Sequence, residues 1–196
     1  MKRALLLFLI ILGTEVSAQK NFSLDVSYPI ELNDESSSSL TGIVNGRLKY
    51  RFVNSGLFAF GGSYSVDLLN GEISTYGSLD SEKKNFITHH VNVFAEHSLK
   101  SDNNFRFALG IGYSSQTYFT SITTGFENNS QQITSNTKKE SIDGFNLNAG
   151  ASYDIAKNLF VQVYYQFIRL YAKNPITDEN MGYNTSRLKL GLGFRF

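Results

Sequence analysis

The chain has 196 residues, with 18 lysines and arginines against 17 aspartates and glutamates, and it contains neither cysteine nor tryptophan. The near-zero charge gives no argument for a nucleic-acid partner, and the lack of cysteine excludes disulfides, thiolate metal sites and a cysteine nucleophile. A chain of this length fits one domain.

The amino terminus has the pattern of a secretory signal peptide. Two cations, an apolar run and a small-residue ending follow one another at residues 2–3, 4–12 and 16–18. The apolar run is too short to cross a bilayer as a helix, so we expect residues 1–18 to be a signal peptide cleaved after Ala18. The rest, residues 19–196, carries 16 basic and 16 acidic residues and lacks a stretch long enough for a transmembrane helix. This part can therefore enter a membrane only as strands.

The first half of the mature chain alternates apolar and polar residues, which predicts four strands. The predicted strands cover about residues 22–30, 44–52, 58–68 and 87–99. Between them lie a serine-rich segment at 31–39, a tight turn at 53–57 and a long polar loop at 69–85. The tight turn contains Asn54 and Gly56, which tolerate positive φ. The fourth strand is the least regular, with a histidine on each face.

The second half predicts four more strands, at about residues 105–114, 145–155, 159–167 and 186–196. Short turns lie at 100–104 and 156–158, and long polar stretches lie at 116–141 and 172–183. The ends of the stretch at 116–141 can extend the strands beside it. Long and short connections alternate throughout, which is typical of an up-and-down barrel with short turns at one end and long loops at the other.

The three short turns allow a check of the strand register. Each has an odd number of residues, and such a turn keeps the facing residues on one side of the sheet. This places three apolar pairs opposite each other: Phe52 and Phe58, Leu99 and Phe105, and Ile155 and Leu159. The apolar faces of neighbouring strands then join into one continuous surface.

The apolar face could point into a soluble barrel or outward into lipid, and two features favour lipid. Aromatic residues on this face concentrate near both ends of the strands, as in the aromatic girdles of membrane barrels. Glycines concentrate on the opposite face, which suits the crowded lumen of a small barrel better than a solvent-exposed surface. The predicted fold is therefore all-β, an eight-stranded antiparallel up-and-down transmembrane β-barrel in residues 19–196.

The final segment, SRLKLGLGFRF at 186–196, alternates strictly and ends on an aromatic residue. It resembles the closing strand of small outer-membrane β-barrels of the OmpA/OmpX type, and the aromatic, Asn-rich strands also resemble barrels of Bacteroidetes. In that family the terminal aromatic belongs to the signal read by the barrel assembly machinery, so the resemblance implies this role for Phe194 and Phe196. It further implies a monomer in the outer membrane of a Gram-negative bacterium, in contact with lipid, after passage by periplasmic chaperones.

Charged residues of the inward face are expected to form a structural cluster in the lumen. Its members are Asp25, Arg47, Lys49, Arg51, Glu96, Arg106, Arg187, Lys189 and Arg195, and Asp67 and Asp154 are further acids of the same face. Cations exceed acids, so the cations must find partners in a poorly solvated interior. We expect Asp25 to lie near Arg51 and Arg195, and Glu96 to reach Arg106 diagonally across the turn at 100–104.

The histidines give little support for catalysis or metal binding. His97 and Ser98 point to opposite faces of one strand, while His89 and His97 share a face but lie about 27 Å apart. Outer-membrane lipid A deacylases have a similar size and fold, but their His-x-Ser arrangement is absent here. His89 and His90 also point apart, so they cannot share a metal ion. We therefore expect no catalytic residue, no metal and no cofactor.

Two hypotheses of function remain, with a lipid-modifying hydrolase as a weaker third. One is a structural or surface-interaction barrel whose long outer loops meet an external partner. The other is a small channel for ions or solutes. The interior of an eight-stranded barrel is just filled by side chains, which favours the first.

Overall fold

The computed structural model describes residues 21–32, 38–55, 57–74, 81–99, 104–124, 134–173 and 180–196. Its eight strands are β1 (Phe22–Glu31), β2 (Ser38–Asn54), β3 (Phe58–Ser74), β4 (Ser81–Ser98), β5 (Phe105–Thr124), β6 (Thr134–Asp154), β7 (Leu159–Lys173) and β8 (Asn180–Arg195). Each strand pairs antiparallel with the next, and β1 also pairs with β8, so the sheet closes into a barrel. The predicted fold class is confirmed. The predicted signal peptide lies outside the described residues.

The two faces of each strand have the polarity expected in lipid. On β1, Leu24 and Val26 are 39% and 55% exposed, whereas Asp25 between them is 1% exposed. The same alternation of exposed apolar and buried polar side chains continues around the barrel. The described part of the chain has no helix long and apolar enough to cross a membrane.

Several strands are longer than the apolar alternation predicted. The predicted loop at 69–85 is wrong over much of its length, because β3 continues to Ser74 and β4 begins at Ser81. In the same way β5 and β6 continue into the polar stretch at 116–141. A strand needs about 9–11 residues to cross the hydrocarbon. Beyond it the ladder still pairs the backbone, although the sequence there no longer alternates regularly between apolar and polar residues.

The register agrees with the prediction at two short turns and differs at the third. Ser98 pairs with Arg106, and this register places Leu99 opposite Phe105, as predicted. Similarly, the amide of Ile155 donates to the carbonyl of Leu159 at 2.9 Å.

The predicted opposition of Phe52 and Phe58 is wrong. The pairing between β2 and β3 shifts between Arg51 and Val53, and Val53 then lies opposite Phe60. The chain reverses later than predicted, where the amide of Ser55 donates to the carbonyl of Phe58 at 2.8 Å. The extra residue on β2 forms a bulge, which changes the register beyond it.

Candidate functional site

The lumen contains almost all the buried charge of the described residues, and Asp67 is its centre in the outer half, towards the long connections. One carboxylate oxygen accepts from Lys189 Nζ at 2.7 Å and from the Asn45 amide at 2.5 Å. The other accepts from Arg187 Nη1 at 2.9 Å and from His90 Nε2 at 3.1 Å. These donors come from β2, β4 and β8, so Asp67 on β3 ties together opposite walls of the barrel. Arg187 also donates through Nε to Glu31, at 2.9 Å.

His90 connects this cluster to the neighbouring strand. The Asp67 carboxylate can only accept, so His90 Nε2 carries the proton in their shared hydrogen bond. Nδ1 of His90 lies 2.7 Å from the hydroxyl of Ser114, which also accepts from the Asn146 amide at 2.8 Å. Asp67, His90 and Ser114 thus follow the hydrogen-bond order of a Ser-His-Asp triad.

This triad-like arrangement is fully buried. The side chains of Asp67, His90 and Ser114 are all 0% exposed. The Ser114 hydroxyl is also hydrogen-bonded to both Asn146 and His90. The arrangement forms a buried polar network that joins β3, β4, β5 and β6.

Asp25 lies in the middle of the lumen, with partners that differ from those predicted. It accepts from Arg47 Nε at 3.2 Å and from the Gln162 amide at 2.5 Å. The expected position of Asp25 near Arg51 and Arg195 stays a prediction. Arg51 and Arg195 are long enough to cross the lumen and bind carboxylates on other strands.

Glu96 is the corresponding acid in the periplasmic half, towards the short turns and the chain end. It accepts from Arg51 Nε at 2.7 Å and from Lys49 Nζ at 3.0 Å. The expected hydrogen bond from Arg106 to Glu96 is wrong. Arg106 instead lies 3.9 Å from Asp154, which also pairs with Arg195.

An aromatic side chain fills the lumen between these charged groups. Lys49 donates to the Tyr164 hydroxyl at 2.6 Å, and the Arg47 guanidinium lies 4.0 Å from the centre of the Tyr164 ring. Tyr164 comes from β7 and its two cationic partners come from β2. Cation–π and hydrogen-bond contacts therefore cross the middle of the barrel.

Four apolar side chains are buried near the outer end of the inward face. The buried side chains there are Leu69, Phe86, Ile168 and Leu170. They lie beyond Asp67 on β3, Thr88 on β4 and Gln166 on β7, and they face the same way as those residues. The predicted strands ended before these four residues, so this apolar layer is a feature that the sequence interpretation missed.

The structure places all nine predicted cluster residues on the inward face, together with the predicted acids Asp67 and Asp154, and adds Glu31 as a further acidic partner. The hydrogen bonds that join Asp67, His90 and Ser114 were the main omission. A comparison of residues within one strand does not reveal this contact, because His90 and Ser114 lie directly opposite each other on the neighbouring strands β4 and β5. Counting the register from the turn at 100–104 would have found this pair.

Phe194 and Phe196 lie on the outer wall at the periplasmic end, 46% and 38% exposed. The amide of Phe196 donates to the carbonyl of Phe22, and the amide of Phe22 donates to the carbonyl of Phe196, both at 3.0 Å. The last residue therefore completes the seam between β1 and β8.

A closed eight-stranded barrel with an apolar outer wall and a charged, filled lumen defines the class of small membrane-spanning β-barrels. Residues 4–196 match the family model described as outer membrane protein beta-barrel domain. The chain belongs to this family, and the outer membrane is its location. No curated protein matches the sequence.

Solved structures from several bacteria share the fold. A major outer membrane protein from Thermus thermophilus has a TM-score of 0.59 at 14% identity, over 90% of this chain and 99% of the other. OprG from Pseudomonas aeruginosa has a TM-score of 0.55 at 11% identity, over 90% and 95%. Ail, the attachment invasion locus protein of Yersinia pestis, crystallised with the heparin analogue sucrose octasulfate, has a TM-score of 0.54 at 16% identity, over 90% and 98%. At these identities the likeness concerns the fold alone.

Proposed function

We propose that this outer-membrane barrel has a structural or surface-interaction role and that its lumen is not a route for solutes. The observation that carries the proposal is the set of polar contacts across the lumen. Arg187 and Lys189 on β8 reach Asp67 on β3, and Lys49 on β2 reaches Tyr164 on β7. These contacts occupy the space that an aqueous pore needs.

The long strands support a role outside the membrane. β5 and β6 have 20 and 21 residues, about twice what the hydrocarbon requires. Their ladder continues to the pair of Thr124 with Thr134, so the β5–β6 hairpin projects beyond the membrane. The tips of the four long connections, at 33–37, 75–80, 125–133 and 174–179, lie outside the described residues.

The proposal includes the route to the membrane. Residues 1–18 are removed on export, periplasmic chaperones carry the chain, and the barrel assembly machinery reads Phe194 and Phe196. The folded protein is a monomer in the outer membrane of a Gram-negative bacterium. The resemblance to barrels of Bacteroidetes stays a prediction.

Conductance in a planar bilayer tests the proposal. The purified barrel should give no steady current. Tyr164→Ser should raise the conductance, because it removes the ring that fills the lumen between Arg47 and Lys49. The matched control is Tyr165→Ser on the outer wall, where the side chain is 43% exposed. This change should leave the barrel closed.

A small channel is the alternative, and the surplus of cations in the lumen favours it. It predicts steady, anion-preferring currents from the unmodified protein. If the unmodified protein gave such currents and Tyr164→Ser left them unchanged, the channel would be favoured over the structural role.

A further inference from the structure

The charges of the lumen are distributed unevenly along its axis. Among the described side chains, Arg187 and Lys189 balance Glu31 and Asp67 in the outer half, and Arg47 balances Asp25 in the middle. In the periplasmic half, four cations face two acids: Lys49, Arg51, Arg106 and Arg195 against Glu96 and Asp154. Two positive charges are therefore in excess among the described side chains at this end.

Arg106 and Arg195 share a single carboxylate. Both pair with Asp154, and Arg195 also donates through Nη2 to the Ser152 hydroxyl at 2.7 Å. The Nε groups of Arg106 and Arg195 are buried and have no hydrogen-bond partner among the described residues. Arg195 as a whole is 1% exposed. A buried charged donor without an acceptor is costly, so a further acceptor would stabilise this end of the barrel.

A small ion can reach this end from the periplasm. The side chains of Arg106 and Asp154 are 17% and 11% exposed, whereas those of Arg51 and Glu96 deeper in the lumen are 0% and 3% exposed. The short turns and the chain terminus lie at this end, and such turns face the periplasm in barrels of this type. The ion would therefore enter without crossing the filled middle of the lumen.

We infer that Arg106 and Arg195 bind a small oxyanion at the periplasmic mouth of the lumen. Guanidinium groups match phosphate and carboxylate geometry with paired N–H donors, and the two surplus charges favour a group with more than one negative charge. A phosphate group fits both requirements. It comes either from free inorganic phosphate or from the headgroup of a periplasmic-leaflet lipid.

The test is unfolding of the full mature barrel by urea in a nonionic detergent that contains no phosphate. Inorganic phosphate should raise the urea midpoint in a saturable way, compared with chloride at the same ionic strength. At ten times the dissociation constant, the ratio of folded to unfolded protein should rise about elevenfold. A response to phosphate no larger than the response to chloride would overturn the inference.

Arg106→Gln separates binding from a merely structural role. It removes one surplus cation and leaves Arg195 paired with Asp154, so the variant should fold and should be at least as stable as the wild type without phosphate. The phosphate response should disappear. The matched control is Arg169→Gln, which changes an exposed arginine of the outer wall and should keep the full response. A full response in Arg106→Gln would contradict the site.

Phospholipid vesicles distinguish the two sources of phosphate. If free phosphate raises the midpoint equally in detergent and in phosphatidylglycerol vesicles, the ligand is the free ion. If the effect appears in detergent and is absent in the vesicles, lipid headgroups already occupy the site. Either result supports binding at Arg106, provided that Arg106→Gln has lost the response in detergent.

Discussion

At the scale of single residues, Asp67 carries more of the lumenal network than any other described acid. Its two oxygens accept from four side chains, two of them the basic Arg187 and Lys189. Asp25 and Glu96 each accept from two. Removing one partner of a buried ion pair is much more costly than never burying the pair, because the remaining charge stays in a poorly solvated site.

We therefore expect Asp67→Asn to lower the free energy of unfolding by about 3–5 kcal/mol. The new amide keeps the shape of the side chain but cannot neutralise Arg187 and Lys189. Urea unfolding in lipid vesicles measures the change.

The matched control is Asp143→Asn, an acid on the outer wall that is exposed. Its effect should stay within about 0.5 kcal/mol, as is usual for surface substitutions. Equal losses in the two variants would show that the lumenal network contributes no special stability.

At the scale of strands, the lumen is filled by aromatic rings that lie over glycines of the neighbouring strand. Tyr164 on β7 pairs with Gly150 on β6, and Phe160 on β7 pairs with Gly193 on β8. A Cβ atom added at Gly150 would lie 2.6 Å from the Tyr164 ring, closer than real contacts allow. Glycine at this position is therefore required by the ring that crosses the lumen.

Gly150→Ala should destabilise the barrel by about 1–3 kcal/mol, the usual range for overpacking. Gly46→Ala is the matched control, because a Cβ atom there meets no other atom within 4 Å. Thermal unfolding of the two variants in the same detergent gives the comparison. A Gly46→Ala variant as unstable as Gly150→Ala would point to a backbone effect of alanine in strands instead of a collision with Tyr164.

Alternation along each strand was enough to predict the strand number and the two faces, because lipid and lumen impose opposite preferences on successive residues. It failed beyond the predicted strand ends, because β3 and β4 continue there without a regular alternation of apolar and polar residues. It also failed at Phe52, because a bulge is not visible in an alternating pattern.

The partners of the lumenal charges were the least predictable part. Neighbouring strands suggested Arg51 and Arg195 for Asp25, but these long side chains extend across a narrow lumen. Which carboxylate they meet depends on the diameter and stagger of the closed barrel, and one strand does not contain that information. The contact of His90 with Ser114, by contrast, lies between adjacent strands and follows directly from the register.

At the scale of the whole molecule, closure depends on the seam between the first and last strands. Phe22 and Phe196 exchange two backbone hydrogen bonds at its periplasmic end. Deletion of Phe196 would remove both of them together with the aromatic ring. It would therefore mix a loss of stability with the loss of an assembly signal, and it cannot tell the two apart.

Phe196→Ala separates these effects, because it keeps the backbone hydrogen bonds of the seam and removes only the ring. If the assembly machinery reads the terminal aromatic, this variant should refold from urea into detergent micelles almost as well as the wild type. In cells, however, it should yield much less of the heat-modifiable folded band in the outer membrane. The control is Phe22→Ala, which removes an outer-wall ring of similar exposure, 42% against 38%, from the other side of the same seam. If the Phe196 ring serves only to contact lipid, both variants should assemble equally well in cells. That result would show that the terminal aromatic is not an assembly signal.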